Sequence, residues 1–338
     1  MSSSETRYNW LDVFKAFSIF FILYSHIGNH RLSTFFFSFM VHAFFFASGV
    51  TAARNADKPL CQYIKDRFKR LMVPYFAFGI IAIAVIFLMD THTGFSIADM
   101  IKQLLYAYRL NTFAITLWFL PCLFVMGIYY QVLMKFVKNK WVRLAAAAAV
   151  SLVFRFFSEG NILPWGIDNA VRFLVYYAAG DAFGGFFNTL SSNPPLILRK
   201  KWPLLLCAAG LALVYFQYTY SNTYLIELTG IVPGYMMQVV TGAFYAFVNI
   251  YLLSIASIAL QNIKLLQTVG KNSLAACCLE LPVNRFVCTA ISMFGLQVTV
   301  TYPGQCIMFV AVCLACSVKA AGYIKQNYPL LLGFSKSR

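Results

Sequence analysis

The stretch NWLDVFKAFSIFFILYSHIGNHRLSTFFFSFMVHAFFFASGVTAAR, Asn9 to Arg54, decides how the rest of the chain is read. From Trp10 to Ile27 an apolar run approaching the length of a membrane span carries Asp12 and Lys15 near one end and His26 at the other. A charge in mid-bilayer costs roughly 2.5–3.5 kcal/mol on insertion scales, so such residues face a protein interior or a wet cavity and mark function by default. At about 100° per residue, Lys15 and His26 differ by roughly 20° and stand about 16 Å apart along a helix axis, with Asp12 about 60° from Lys15. One face therefore carries Asp12, Lys15, Ile22 and His26, the wall of a passage with a cation at its mouth. The same residues also fit a plainer account, an Asp12–Lys15 pair snorkelling to the headgroups with His26 as an interfacial cap.

Composition sets the class. The 338 residues are 60% hydrophobic and 11% charged, whereas about 25% of an ordinary soluble domain is charged. A net charge of +16 would suit nucleic acid, but Lys and Arg gather in short stretches between apolar runs, as the positive-inside rule requires, and no nucleic-acid partner is expected. The polar start MSSSETRYNW, with no small-residue cleavage site behind the first apolar run, reads as lacking a cleavable signal peptide. Of nine cysteines, Cys122, Cys207, Cys277, Cys278, Cys306, Cys313 and Cys316 lie inside apolar runs and behave as small hydrophobes. Cys313-x-x-Cys316 has no histidine partners, and no metal site is expected.

Apolar segments near 10–27, 34–53, 71–89, 113–134, 144–157, 167–187, 202–220, 235–260, 273–292 and 304–323 predict an all-α polytopic membrane protein. It is a bundle of about ten transmembrane helices in one domain, 1–338, with the lipid bilayer as its surroundings. With the N-terminus inside, inner loops hold Arg54, Lys58, Lys65, Arg67, Lys69 and Arg70, then Lys135, Lys138, Lys140 and Arg143, then Arg199, Lys200 and Lys201, then Lys264 and Lys271, with Lys325, Lys336 and Arg338 on the tail. The outer loops hold only Arg31, Lys102 and Arg109. Both termini are therefore read as cytoplasmic.

Further residues carry chemistry or packing. His42 lies inside the second apolar run. Arg67 and Arg70, three apart, would share a helix face and could grip one polyanion, although inner loops collect such residues for orientation alone. Pro121, beside Trp118, predicts a kink in the fourth span, bordering a cavity or simply packed. The outer loop Glu159–Asp168, with Trp165, suits a sugar or is merely a loop; Asp168 and Arg172 form an i,i+4 pair, and Arg155 and Asp181 add charges to these spans. Pro194 and Pro195 mark the clearest turn. Glu280 and Arg285, about 140° apart on one helix, do not simply neutralise each other.

In order along the chain, these features resemble the acyltransferase-3 family of membrane acyltransferases, most closely its fucose 4-O-acetylase-like branch. Leu11-Asp12-Val13-Phe14-Lys15 with His26 is similar to the family's opening motif, and Phe44-Phe45-Phe46-Ala47-Ser48-Gly49 to its second-span motif. Arg67-x-x-Arg70 with Pro74 resembles its basic pair, and Trp118-Phe119-Leu120-Pro121 its fourth element, supported by Gly270-Lys271-Asn272-Ser273-Leu274. The sequence departs from the branch at Met40, where a histidine is usual, at His42, in the proline position, and at Glu280, where the late motif leads to a histidine.

The resemblance implies transfer of an acetyl group from acetyl-CoA, a donor and not a resident cofactor, to a carbohydrate hydroxyl at the plasma membrane. It implies His26 as the catalytic residue; apart from the resemblance, Glu280 is a candidate to orient it. Lys15, Arg67 and Arg70 would hold acyl-CoA, and Asp12, His42, Trp118 and Trp165 would stand on the substrate side. Free imidazole titrates near pH 6.5, so a neutral base is available at pH 7 to take the sugar hydroxyl's proton and return it to the leaving thiolate. Nothing in the residues fixes the oligomeric state. Two other classes fit: a transporter of an anionic solute, and a non-catalytic member of the same fold.

Overall fold

Runs this apolar have no water to satisfy their backbone in a bilayer, so they must close their own hydrogen bonds as helices. The computed structural model describes residues 7–27, 31–89, 96–109, 111, 113–114, 116–157, 162–195, 198, 204–216, 233–295, 300 and 302–334, and among them no strand occurs. The helices are α1 (Asn9–Ile27), α2 (Arg31–Phe37), α3 (Met40–Gly49), α4 (Leu60–Arg67), α5 (Val73–Met89), α6 (Ile97–Tyr106), α7 (Phe119–Phe136), α8 (Lys140–Phe157), α9 (Ile167–Arg172), α10 (Leu174–Ser192), α11 (Leu204–Phe216), α12 (Pro233–Ala259), α13 (Lys264–Lys271), α14 (Ser273–Ser292) and α15 (Pro303–Asn327).

Among the described residues, seven helical stretches are long and apolar enough to cross a membrane: α1, Arg31–Gly49, Leu60–Met89, α7, Val239–Ala259, α14 and α15. The other three expected spans correspond to α8, which carries Lys140, Arg143 and Arg155, to α10, rich in small residues with Asp181 and Asn188, and to the shorter α11. Glu159, Arg199, Lys200, Lys201, Lys336, Arg338 and the end of the expected seventh span lie outside the described residues.

Three boundaries differ from the sequence reading. The basic stretch Lys65–Arg70, read as an inner loop, is helical and continuous with α5. Pro74 explains its form: it has no N–H, and its ring would strike the carbonyl four residues back. The helix widens there into a π-turn, Phe68–Met72, with the Val73 N–H bonded to the Phe68 carbonyl. The fourth span begins at Phe119 rather than near 113, so Pro121 falls in the first turn of α7, where proline costs no hydrogen bond and gives no kink. The second and sixth apolar runs are each broken: Ser38 turns its hydroxyl onto the Phe35 carbonyl (2.6 Å) between α2 and α3, and Phe173 interrupts α9 and α10.

The chain forms two compact units, each gathered from distant stretches. The first comprises 1–47, 183–273 and 300–310. Its centre is α1, whose Trp10, Phe14, Ile19 and Tyr24 are fully buried and which packs against α2, α12 and α13. Trp10 donates its indole N–H to Asn188 (3.0 Å), and its ring lies 5.6 Å from that of Phe187. A Cβ on Gly270 of α13 would overlap the Asp12 carbonyl, so glycine there lets the two helices touch backbone to backbone.

The second unit comprises 48–182, 274–299 and 311–338. Here α7 is the axis: Gln131 donates to the Asn55 carbonyl (2.7 Å), and Tyr130 to Asp181 (2.7 Å). Arg143 completes that knot, 2.5 Å from Asp181 and donating to the Val137 and Lys138 carbonyls (2.9 and 2.8 Å) just beyond the end of α7. Gly49 abuts the Tyr177 carbonyl so closely that a Cβ would not fit.

Candidate functional site

In the first unit, α1 places its polar residues in different surroundings. Asp12 is buried, and both its oxygens are taken by Arg7, Nε at 2.7 Å and Nη2 at 3.1 Å. Its hydrogen bond to Asp12 raises the Arg7 guanidinium above its ordinary range. Sequence reading missed Arg7 because it precedes the helix and has no i,i+4 relation to Asp12. Lys15 is partly buried, Ile22 is buried, and His26 is partly buried in the last turn, its ring 6.5 Å from Phe37. Ser25 donates to the Met40 sulfur (3.3 Å), so the end of α1 lies against the start of α3. His42, two residues on, is partly buried with Nδ1 inside the protein.

In the second unit, Arg67 is drawn inward. Its Nη2 donates to the Leu123 carbonyl (3.1 Å), its guanidinium lies 5.5 Å from the Tyr63 ring centre, and a Cβ on Gly127 would come within 2.7 Å of Nε. That Nε is buried with no hydrogen-bond partner among the described residues. Arg70 is exposed, beyond the start of the π-turn, so the two arginines do not share the environment that an unbroken α-helix implied.

Trp165 takes a left-handed backbone (φ 59°) and donates its indole N–H to the Leu105 carbonyl (3.2 Å). Its ring lies 6.4 Å from Phe76 and 6.2 Å from Phe124. Leu123 and Phe124 are consecutive on α7, so Arg67 and Trp165 sit at one level of that helix. The sequence reading had put them in an inner and an outer loop, with a hydrocarbon layer of about 30 Å between.

Around that level the backbone is irregular. Described residues between α6 and α7 include buried Asn111, Phe113, Thr116 and Leu117. Asn111 accepts from the N–H groups of Phe113 and Ala114 (3.3 and 2.7 Å), and Thr116 donates to the Cys277 carbonyl (3.0 Å). Non-helical backbone at membrane depth is tolerated only where protein or a wet cavity surrounds it. Trp118, partly buried, stands at the N-cap of α7. Arg109 donates to Asn169 (2.9 Å) and lies 3.7 Å from Asp168, whose side chain is 1% exposed and whose oxygens have no hydrogen-bond partner among the described residues. Glu280 is partly buried in α14, two residues before Pro282. Among the described residues no three His, Cys, Asp or Glu side chains gather as a metal site.

The sequence profile of the acyltransferase-3 type, described as an acyltransferase domain, matches residues 8–318 and so runs through both units. The chain belongs to the acyltransferase-3 family. No curated protein and no solved structure matches it. With its apolar helices, this acyltransferase is a multi-pass membrane protein. Two of the glycines in the family-like motifs have a packing reason here: Gly49 and Gly270 stand where a neighbouring backbone leaves no room for a side chain. Met40, in place of the branch's histidine, puts a thioether against the last turn of α1.

Proposed function

We propose that this acyltransferase moves an acetyl group from acetyl-CoA to a hydroxyl of a carbohydrate, a cell-surface polysaccharide or its lipid-linked precursor, in the plasma membrane. It does so in the manner of the fucose 4-O-acetylase-like branch. The observation that carries this reading is α1, which holds a partly buried Lys15 and a partly buried His26 on one helix of a family acyltransferase. Their separation of about 16 Å suits the pantetheine arm of CoA. Lys15 supplies a cation for the donor's phosphates within its own unit, and Arg67 and Arg70, in the other, are of the type that suits phosphate.

His26 Nε2 or Nδ1 takes the proton of the acceptor hydroxyl as its oxygen attacks the thioester carbon; the carbon–sulfur bond breaks, and the proton passes to the departing thiolate. Asp12, held by Arg7, anchors the start of α1. Within the second unit, Asp168 has two buried carboxylate oxygens that accept only, a chemistry that suits sugar hydroxyls. Trp165, its N–H already used, offers only a ring face. Interrupted helices are also how transporters build midplane ion sites, which favours an anion transporter as the second reading.

The test is transfer or hydrolysis of labelled acetyl-CoA by the purified chain in detergent, beside His26→Ala. The variant should lose activity by about 10²-fold or more while still binding CoA. Equal rates would remove His26 from the chemistry, and absence of CoA binding in both proteins would favour the transporter.

A further inference from the structure

Helix α12 buries a stripe of residues at helical spacing, Ala246, Asn249, Leu253 and Ser257, and packs along α1. Polar groups in such a stripe normally find partners inside the protein. Ser254 and Ser257 do so, donating to the Ile250 and Leu253 carbonyls of their own helix (2.8 and 2.6 Å). Asn249 does not: it is 0% exposed, and neither its carbonyl oxygen nor its amide nitrogen has a hydrogen-bond partner among the described residues. A buried amide left unmade on both sides is costly, and leucine of similar size would avoid the cost.

The neighbours fix its level. Gln261, just past the end of α12, accepts from the Ser191 hydroxyl (2.6 Å) and donates to the Ser191 carbonyl (3.1 Å). Ser191 follows Asn188, which receives the Trp10 indole, so α12 ends beside the start of α1 and runs antiparallel to it. The Tyr251 ring lies 6.2 Å from Phe187, the ring against Trp10. Asn249 is two residues further in, about 3 Å along the axis, which puts it near the level of Asp12 and within one turn of Lys15, where the stretch toward His26 begins.

We propose that Asn249 pairs with the two amides of the pantetheine arm as the acyl-CoA donor passes along α1. This rests on the acyl-CoA reading above. An asparagine side chain presents an acceptor and a donor side by side; a trans secondary amide turns its N–H and C=O to opposite sides, so the N–H of one pantetheine amide and the C=O of the other make the match. A phosphate would leave the Asn249 oxygen unpaired, and a thioether or acyl chain would satisfy neither atom. Neutrality matters too, because an amide pair buries no net charge at that depth.

Calorimetric titration of the full chain in detergent tests this, with CoA and with adenosine 3′,5′-bisphosphate, which has the nucleotide but no pantetheine arm. Asn249→Leu should weaken CoA by about tenfold, leave the bisphosphate unchanged, and raise the unfolding temperature, because it removes an unpaired amide. Equal CoA affinity in wild type and variant would overturn the pairing and leave Asn249 with a buried water or with packing alone. Parallel weakening of both ligands with a lower unfolding temperature would also overturn it, marking a structural residue. A wild type that binds the bisphosphate or nothing, but never CoA more tightly, would remove the acyl-CoA reading itself.

Discussion

Arg143 has every donor group engaged: Nε on the Tyr130 hydroxyl and Asp181, Nη1 on the Val137 and Lys138 carbonyls, Nη2 on Asp181. Both side chains of the pair are nearly inaccessible, 10% and 2% exposed, so removing one partner strands the other's charge. Asp181→Ala should therefore cost about 3–5 kcal/mol, whereas Arg143→Met with Asp181→Leu should cost far less, because an apolar pair leaves no charge behind. Thermal unfolding of the three proteins in one detergent checks this, and a double variant as unstable as the single would mean that the cost lies in packing. Asp181 was visible in the sequence as a charge within a span, but not its partner, since Arg143 had been counted among loop residues. The same holds for Asp12. Its charge stood out, but not the Arg7 that donates to both its oxygens, and no periodicity connects a helix residue to one before the helix begins.

Among the elements, the basic helix with its π-turn is the one that a hydropathy reading could not supply. Charge density marked Lys65–Arg70 as a loop; Pro74 in fact allows a continuous helix at the cost of one widened turn. That turn sets which way Arg67 faces. Pro74→Ala restores an N–H and permits an ordinary α-helix from Leu60, shifting the register of everything before it by about 100° per residue. Arg67 would then leave the Leu123 carbonyl and the space over Gly127. Acetyl-CoA hydrolysis should fall by about tenfold or more, with helix content by circular dichroism unchanged. A wild-type rate would show that Arg67's inward placement is not needed. By contrast α1 and α14 were legible almost to the residue, because long apolar runs flanked by polar residues leave one reading. The breaks at Ser38, Phe173 and before Phe119 were not, since they fall where no proline or glycine marks them and average hydropathy stays high.

At the scale of the whole molecule, the helical membrane class followed from composition alone, whereas the division into two units follows only from packing: Lys15 and His26 belong to one, Arg67, Trp165 and Glu280 to the other. The orientation argument also changes weight. Even without Lys65–Arg70, which continue into α5, and Arg143, buried against Asp181, the side expected to be inner has Arg54, Lys58, Lys135, Lys138, Lys140, Lys264, Lys271 and Lys325 against Arg31, Lys102 and Arg109 on the other. That imbalance still predicts cytoplasmic termini. Lys102, Lys138 and Lys325 are exposed, so cysteines placed there can report sidedness, provided that the exposed Cys61 is first changed to serine. A membrane-impermeant maleimide should label Lys102→Cys in intact cells, and Lys138→Cys and Lys325→Cys only in inverted vesicles. Labelling of Lys138→Cys from outside would reverse the orientation. Labelling of Lys102→Cys and Lys138→Cys from the same side would mean that the chain returns between α6 and α7 without crossing, and that the irregular segment there enters the membrane and leaves by the face it came from.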